Sequence, residues 1–293
     1  MDGRETRKSR PKYKNLVLSG GSAKGIAHIG AIRKLVDEKL VNLENLESIA
    51  GVSVGALIAL LISLRFSIEE IWNFILSIDL KKIVNPDIFM LIQKCGVDTG
   101  QIIYNLCEEI LTKRTGIAHI TFKQLYDLTK IHIIMVGSCL TTKDVVYFDH
   151  CNTPNFRVSV AARISISMPG YFTPVVVGEK KYIDGAILNN YPMNLFKNRI
   201  EETVGIIINS DYNTNYQYPE EYFIAVINLF LHNYYKRIRR KYKNNTIFVN
   251  NVKNISIFDF DLDMETKKRL YQCGMEAAEE FVKKVKNENS GCE

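Results

Sequence analysis

The pentapeptide Gly51-Val52-Ser53-Val54-Gly55 lies between an apolar, strand-like lead-in (Leu46 to Ala50) and a helix-like run (Ala56 to Leu64). A chain that turns from strand to helix in so few residues passes through strained backbone, which calls for glycine at the flanking positions. The pattern therefore prescribes a β-to-α connection with the serine standing clear at a helix N-terminus, where the helix dipole favours developing negative charge. That is how a nucleophile elbow is built, and hydrolase is the leading reading. Gly-x-Ser-x-Gly also arises by chance as an ordinary tight turn, so the rest of the chain has to decide.

A second segment, Leu16-Val17-Leu18-Ser19-Gly20-Gly21-Ser22-Ala23-Lys24-Gly25, is a short apolar strand running into a Gly-rich turn and then an amphipathic helix from about Ala27 to Glu38. Such a turn presents consecutive backbone N–H groups at a helix start and cradles an anion. Phosphate binding is the rival, but the P-loop pattern requires Lys after its last Gly, and Gly25 is followed by Ile26. The dinucleotide pattern fails because Ser22 stands where its second Gly belongs. Read together with Ser53, the turn is assigned as an oxyanion hole. The third segment, Tyr182 to Pro192, places Asp184 at the end of a short strand beside Gly185 and Ala186; alone, Asp-Gly reads as a turn.

In the order Gly-rich loop, Gly-x-Ser-x-Gly, Asp-Gly-Ala, the chain resembles the patatin-like phospholipase family, which works with a Ser-Asp dyad and no histidine. The resemblance runs from about Lys14 to Val282 and includes the block Ala162 to Phe172 ahead of the aspartate. It implies an α/β three-layer sandwich with a mainly parallel central sheet and helices on both faces. It also implies that Ser53 is the nucleophile and Asp184 its base, that Gly20, Gly21 and Ser22 form the oxyanion loop closed by Lys24 and Gly25, and that Gly51, Gly55, Gly185 and Ala186 support the motifs. One position departs: many members have a third Gly where this chain has Ser22. An N–H donor survives that change, but a φ above zero there would cost on the order of 1–2 kcal/mol. The Asn-, Lys- and Ile-rich wording also resembles members from large DNA viruses.

The chemistry follows from the residues as well. A serine hydroxyl needs a positioned base, and a carboxylate with an ordinary pKa of about 3.9 is too weak a base unless burial raises it. Tyr182, Ile183 and Ile187 supply apolar neighbours for that purpose. The expected reaction is hydrolysis of an acyl ester of phospholipid or related lipid through an acyl-enzyme, with no cofactor and no metal. The alternatives are an α/β-hydrolase triad of Ser53, Asp184 and His232, which lies in the apolar-then-basic run Tyr222 to Arg240, and a catalytically silent lipid-binding relative. His28, His119, His132 and His150 lack metal-site spacing with Cys or carboxylates, and His28 is expected beneath the Gly-rich loop.

Composition allows a large core, with 293 residues and 46% apolar content. The domain reading is a basic tail over residues 1–13, one catalytic domain over 14–285 and a flexible tail over 286–293. Six scattered cysteines without Cys-x-x-Cys spacing, and no signal peptide, give an expectation of reduced thiols in an intracellular, cytoplasmic protein. No apolar run approaches the roughly 20 residues of a spanning helix. Basic residues gather at Arg4 to Lys14 and Lys236 to Lys243; with a net charge of +6 they suit peripheral contact with anionic membranes. Nucleic acid ranks low for want of a recognition motif. Ser67-Ile68-Glu69-Glu70 reads as a capping box, Asp98 or Thr99 as the cap of a helix through Leu111, and strands are expected at Ile131–Val136, Val145–Phe148, Val204–Ile208, Thr246–Val249 and Ile255–Phe258.

Overall fold

The computed structural model describes residues 12–209 except Val84, residues 236–250 except Arg239, residues 261–290, and isolated positions between 222 and 252. In chain order the elements are β1 (Asn15–Leu18), α1 (Ile26–Asp37), β2 (Ser48–Gly51), α2 (Val54–Ser63), α3 (Ile68–Ser77), α4 (Ile88–Lys94), β3 (Gly96–Asp98), α5 (Gln101–Thr115) and α6 (Phe122–Thr129). Then come β4 (His132–Cys139), β5 (Asp144–Phe148), α7 (Val158–Ser165), β6 (Gly170–Phe172), β7 (Val175–Val177), β8 (Lys180–Asp184), α8 (Ala186–Asn189), β9 (Thr203–Ile208), β10 (Thr246–Val249) and a long final helix α9 (Met264–Ser290).

The main sheet runs β10-β9-β1-β2-β4-β8-β7, with β5 also paired to β4. Its first five strands are parallel, whereas β8, β7 and β5 are antiparallel to their neighbours. Alternate strand residues enter opposite cores. Leu16, Leu18, Ile49, Ile133, Met135, Ile206 and Ile208 face a large core shared with α1, α2 and α9. Val17, Ala50, Ile134 and Ile207 face a second one closed by Tyr191, Met193, Phe196, Ile238 and Tyr242. Burial on both faces is why these strands read as continuous apolar runs rather than alternating ones, and it yields the expected three layers.

Two features position the site. First, β5 covers one edge of β4 from Met135 to Cys139, so β2 and β8 must share the other. β2 pairs with β4 up to Gly51 opposite Met135, and β8 takes over with Asp184 opposite Gly137. The end of β2, where the chain turns into Ser53, and the end of β8 thus meet on one edge of one strand. Second, α1 and α9 cross in backbone contact: a Cβ on Gly30 would stand 1.9 Å from the Tyr271 carbonyl oxygen, and one on Gly274 1.9 Å from that of Ala27.

Several expectations shift. Tyr13 belongs to the domain and not to the tail, since it is buried, bridges to Val41 and packs against Phe281. The last helix continues to Ser290, and Lys286 in the expected flexible tail bonds Glu38 at 2.7 Å. Asp98 ends β3 instead of capping α5; the N-cap is Gly100, whose amide donates to Asp98 Oδ1. The Ser67–Glu70 capping box is present at α3, and an unexpected one joins Thr121 to Gln124 at α6. The strand expected at Ile255–Phe258 lies outside the described residues.

Gly30→Val forces the α1–α9 crossing apart, so the urea midpoint should fall by the equivalent of about 1–3 kcal/mol or more, the usual cost of overpacking. An unchanged midpoint would mean that the two helices do not bear on each other in solution.

Candidate active site

Ser53 occupies the N-cap of α2 with φ 53° and ψ −127°, a region that non-glycine residues enter only at a cost of about 1–3 kcal/mol. The strain is held from three sides. The Ser53 amide donates to Ser165 Oγ at 3.0 Å, a Cβ on Gly51 would stand 2.3 Å from the Gly55 carbonyl oxygen, and one on Gly55 would stand 2.6 Å from that of Ser19. Glycine is needed at 51 and 55 because backbone passes there at contact distance. The side chain that results is 9% exposed, near the surface but sheltered.

Asp184 is fully buried. Its amide donates to the Ser167 carbonyl at 2.9 Å, its own carbonyl accepts from Ser138 Oγ at 2.9 Å, and Oδ1 accepts from the Ala186 amide at 2.8 Å. Among the described residues Oδ2 has no hydrogen-bond partner. Burial raises the carboxyl from 3.8 to about 7, against the opposing pull of the Ala186 amide, the Ser53 side chain and the Arg163 charge. Ser53 thus acts on the carboxylate without a hydrogen bond of standard geometry, an arrangement common before substrate is bound.

The Gly-rich turn lies directly against the elbow serine: a Cβ on Gly20 would come within 3.2 Å of Ser53 Cβ. The amides expected to face an oxyanion divide, however. That of Gly20 donates to Asn190 Oδ1 at 2.9 Å, and that of Lys24 to the Gly21 carbonyl at 3.1 Å. Among the described residues the Gly21 amide makes no hydrogen bond. Ser22 does take the left-handed conformation, φ 51°, so this chain carries the strain that a third glycine would avoid. Lys24 is buried, and Gly25 packs against Val54. His28 lies beneath the loop as expected; burial lowers it to about 4, so the neutral ring donates from Nε2 to the Ser19 carbonyl at 2.9 Å.

Two supporting residues were not evident from sequence. Asn190 closes the Gly-rich turn as described. Arg163, from α7, is 5% exposed and donates to the Thr99 carbonyl at 2.7 and 2.9 Å, the Thr173 carbonyl at 2.9 Å and Ser167 Oγ at 2.5 Å. Burial lowers its pKa to about 10, which leaves it cationic. It ties β3, α5 and β6 to the segment that also supplies Ser165 to Ser53 and Ser167 to Asp184. The signal available was a lone cation in the apolar run Val158 to Ile166. His232 lies outside the described residues.

The patatin-like phospholipase family model matches residues 16–197, a span that contains the Gly-rich turn, Ser53 and Asp184. The chain belongs to the patatin-like phospholipase family. This patatin-like chain is 30% identical over 292 residues to an uncharacterized protein of Acanthamoeba polyphaga mimivirus, covering 95% of this chain and 97% of that one. It is 26% identical over 292 residues to a probable lipid hydrolase of Invertebrate iridescent virus 6, covering 96% and 93%. Its relatives thus include proteins of large DNA viruses. In fold it is similar to VipD from Legionella pneumophila, with TM-score 0.65 and 18% identity over 94% of this chain and 67% of that one. The type III effector ExoU follows, with TM-score 0.55 and 15% identity over 94% and 54%. At family level these findings support a lipid hydrolase.

Arg163→Met strands two part-buried carbonyls, at roughly 1–3 kcal/mol for each lost donor. The unfolding free energy of the patatin-like chain should therefore drop by about 2–4 kcal/mol in chemical denaturation. A loss below about 0.5 kcal/mol would show that Arg163 does not hold this region together.

Proposed function

We propose that this chain is a serine lipid acyl hydrolase of phospholipase A type, acting on fatty acyl esters of phospholipids or related lipids through a Ser53–Asp184 dyad. One observation carries the reading. The strained elbow serine lies beside a fully buried carboxylate whose free Oδ2 and near-neutral pKa suit it to accept a hydroxyl proton.

In the proposed reaction Asp184 takes the Ser53 proton while Oγ bonds to the acyl carbon. The charge on the former carbonyl oxygen is met by backbone amides of the Gly-rich turn, that of Gly21 first among them. The carbon–oxygen bond to the alcohol then breaks, and Asp184 returns its proton to the departing alkoxide. Water, deprotonated by Asp184, attacks the acyl-enzyme and releases the fatty acid, and the proton passes back to Ser53 Oγ. His28 is spent on Ser19 and serves no part in this sequence. Ser53→Ala and Asp184→Asn should each reduce turnover of a chromogenic acyl ester to background while leaving circular dichroism unchanged. Comparable turnover in either variant would overturn the dyad, and lipid binding by the native chain without turnover would favour the silent relative.

The carboxylate's pKa makes two further demands. The rate should rise with pH through about 7 as Asp184 loses its proton, and level off above. For stability the sign is opposite. The folded pKa of about 7 lies above the ordinary value of 3.8, so between these the folded state holds a proton that the unfolded state has released, and stability falls as pH rises through that window. At pH 8 Asp184→Asn should therefore exceed the native chain in stability by roughly 2–4 kcal/mol, with the difference vanishing below pH 4. Thermal melts at the two pH values measure it; a constant difference would contradict the buried-carboxylate account.

Substrate held in a bilayer must be met at its surface. Among the described residues no helix is long and apolar enough to cross a membrane, but α4 carries an apolar surface, with Ile88, Phe89 and Ile92 65%, 73% and 85% exposed. Lys236, Arg237, Arg240, Lys241 and Lys243 are also exposed, whereas Lys14 is occupied by Glu202 and Glu47. Peripheral docking would draw on apolar contact by α4 and on cationic contact by residues 236–243. Turnover on anionic vesicles should fall as salt rises from 0.1 M to 1 M, where the Debye length shrinks from about 10 to 3 Å, and with charge reversal of Arg237 and Arg240. Turnover of a short soluble ester should not change, and equal salt sensitivity for both substrates would exclude electrostatic docking.

A further inference from the structure

β4 begins at His132, level with Ser48 and far from the end where Asp184 pairs with Gly137. The five residue steps from His132 to Gly137 separate the two levels by about 16 Å at a strand rise of about 3.3 Å. At this remote end β5 runs into the turn Asp149-His150-Cys151. His132, His150 and Cys151 each present one ligand atom within 4.8 Å of the other two. His150 Nε2 lies 3.4 Å from Cys151 Sγ, and His132 Nε2 lies 3.7 Å from Asp149 Oδ2. The His132 Nε2 and His150 Nδ1 atoms are buried and make no hydrogen bond among the described residues, although a buried ring nitrogen ordinarily finds a partner.

We propose that His132, His150 and Cys151 bind one zinc ion at the end of the sheet remote from Ser53. Two imidazoles and a thiolate are the donors that zinc selects. Bonds of about 2.3 Å to sulfur and 2.0–2.1 Å to nitrogen, at tetrahedral angles, put sulfur and nitrogen about 3.5 Å apart, close to the 3.4 Å observed. Binding releases the Cys151 thiol proton to solvent and leaves a net single positive charge on zinc and its three ligands. The Asp149 carboxylate beside His132 offsets that charge. It is held in place by the Cys151 amide at 2.7 Å, the Asn152 amide at 2.6 Å and Asn152 Nδ2 at 2.7 Å. The His150 ring is set by stacking on Tyr126 of α6, 3.7 Å between centroids and 3° from parallel. Cys151 is exposed, which gives the ion a path in from solvent. Zinc here would pin the start of β4, the end of β5 and α6 to one another, a structural role independent of ester hydrolysis.

The test uses the full chain, stripped with a chelator and then titrated with Zn²⁺. One ion per chain should bind with release of protons, and the Tm should rise with the logarithm of free Zn²⁺. The cobalt-loaded chain should show a thiolate-to-metal charge-transfer band. Cys151→Ser should abolish that band. It and His132→Ala should each weaken Zn²⁺ binding by more than the roughly 10–100-fold that losing an outer-shell partner costs. Cys273→Ser, folded and competent, should bind as the native chain does, and ester turnover should be unchanged by stripping. Substoichiometric binding to the native chain, or binding and a charge-transfer band that survive Cys151→Ser, would overturn the site.

Discussion

A β-strand has two edges, and β4 uses both. With β5 along one from Met135 to Cys139, only the other remains for β2 and β8, and the antiparallel β8 can begin pairing only where β2 has stopped. β2 stops because the chain must leave the sheet at Gly51 to build the elbow. The handover from Gly51 to Asp184 along that edge is therefore both the reason that the elbow serine and the buried carboxylate meet and a consequence of the elbow. Ser53 and Asp184, 131 positions apart in sequence, are brought together by backbone register.

Register brings Asp184 to the place, and burial gives it its chemistry. An aspartate at this position in solvent would remain an anion too weak to take a serine proton. Inside, with one oxygen satisfied by Ala186 and the other left without a partner, it pays for basicity with stability. A displacement from 3.8 to about 7 corresponds to roughly 4 kcal/mol, a large fraction of the 5–15 kcal/mol by which domains are stable. Arg163 limits this cost. Its buried charge opposes the rise at Asp184, and its hydrogen bonds anchor Thr99, Ser167 and Thr173.

What was legible in the sequence was local. Ser53, the Gly-rich turn and the Asp-Gly-Ala segment each carry their geometry in a few consecutive residues, because a positive φ or a backbone crossing at contact distance dictates the residue type at that position. Most strands of the main sheet were legible for a related reason, since burial on both faces makes each an unbroken apolar run. The parts that depend on distant pairing were not. Nothing near Asn190 announces that it caps Gly20, 170 residues earlier, and Arg163 is separated from Thr99 by 64. His132 and His150 fail every spacing rule because one opens a strand and the other follows the end of its antiparallel neighbour. The small β3–β6 pair and α4 were missed as well; β3 and β6 have three residues each, too few to show a period.

The two glycine-rich turns are best understood as one object. Gly20 packs on Ser53, Gly25 on Val54, and Gly55 on the carbonyls of Leu18 and Ser19, so each turn supplies the surface against which the other is held. β1 and β2 are parallel neighbours in register, Leu18 opposite Gly51, which launches both turns from the same level of the sheet. Ser22 and Ser53, at φ 51° and 53°, are the two strained residues of this interlock, one in each turn. An oxyanion site works by presenting donors that need not reorganise when charge develops, and on the proposed reading a Gly-rich turn packed against the elbow serine through Gly20 and against Val54 through Gly25 meets that requirement. The left-handed serine at position 22 then belongs to a turn whose two flanking glycines are held by the elbow, which is the setting in which strain at a single non-glycine residue persists.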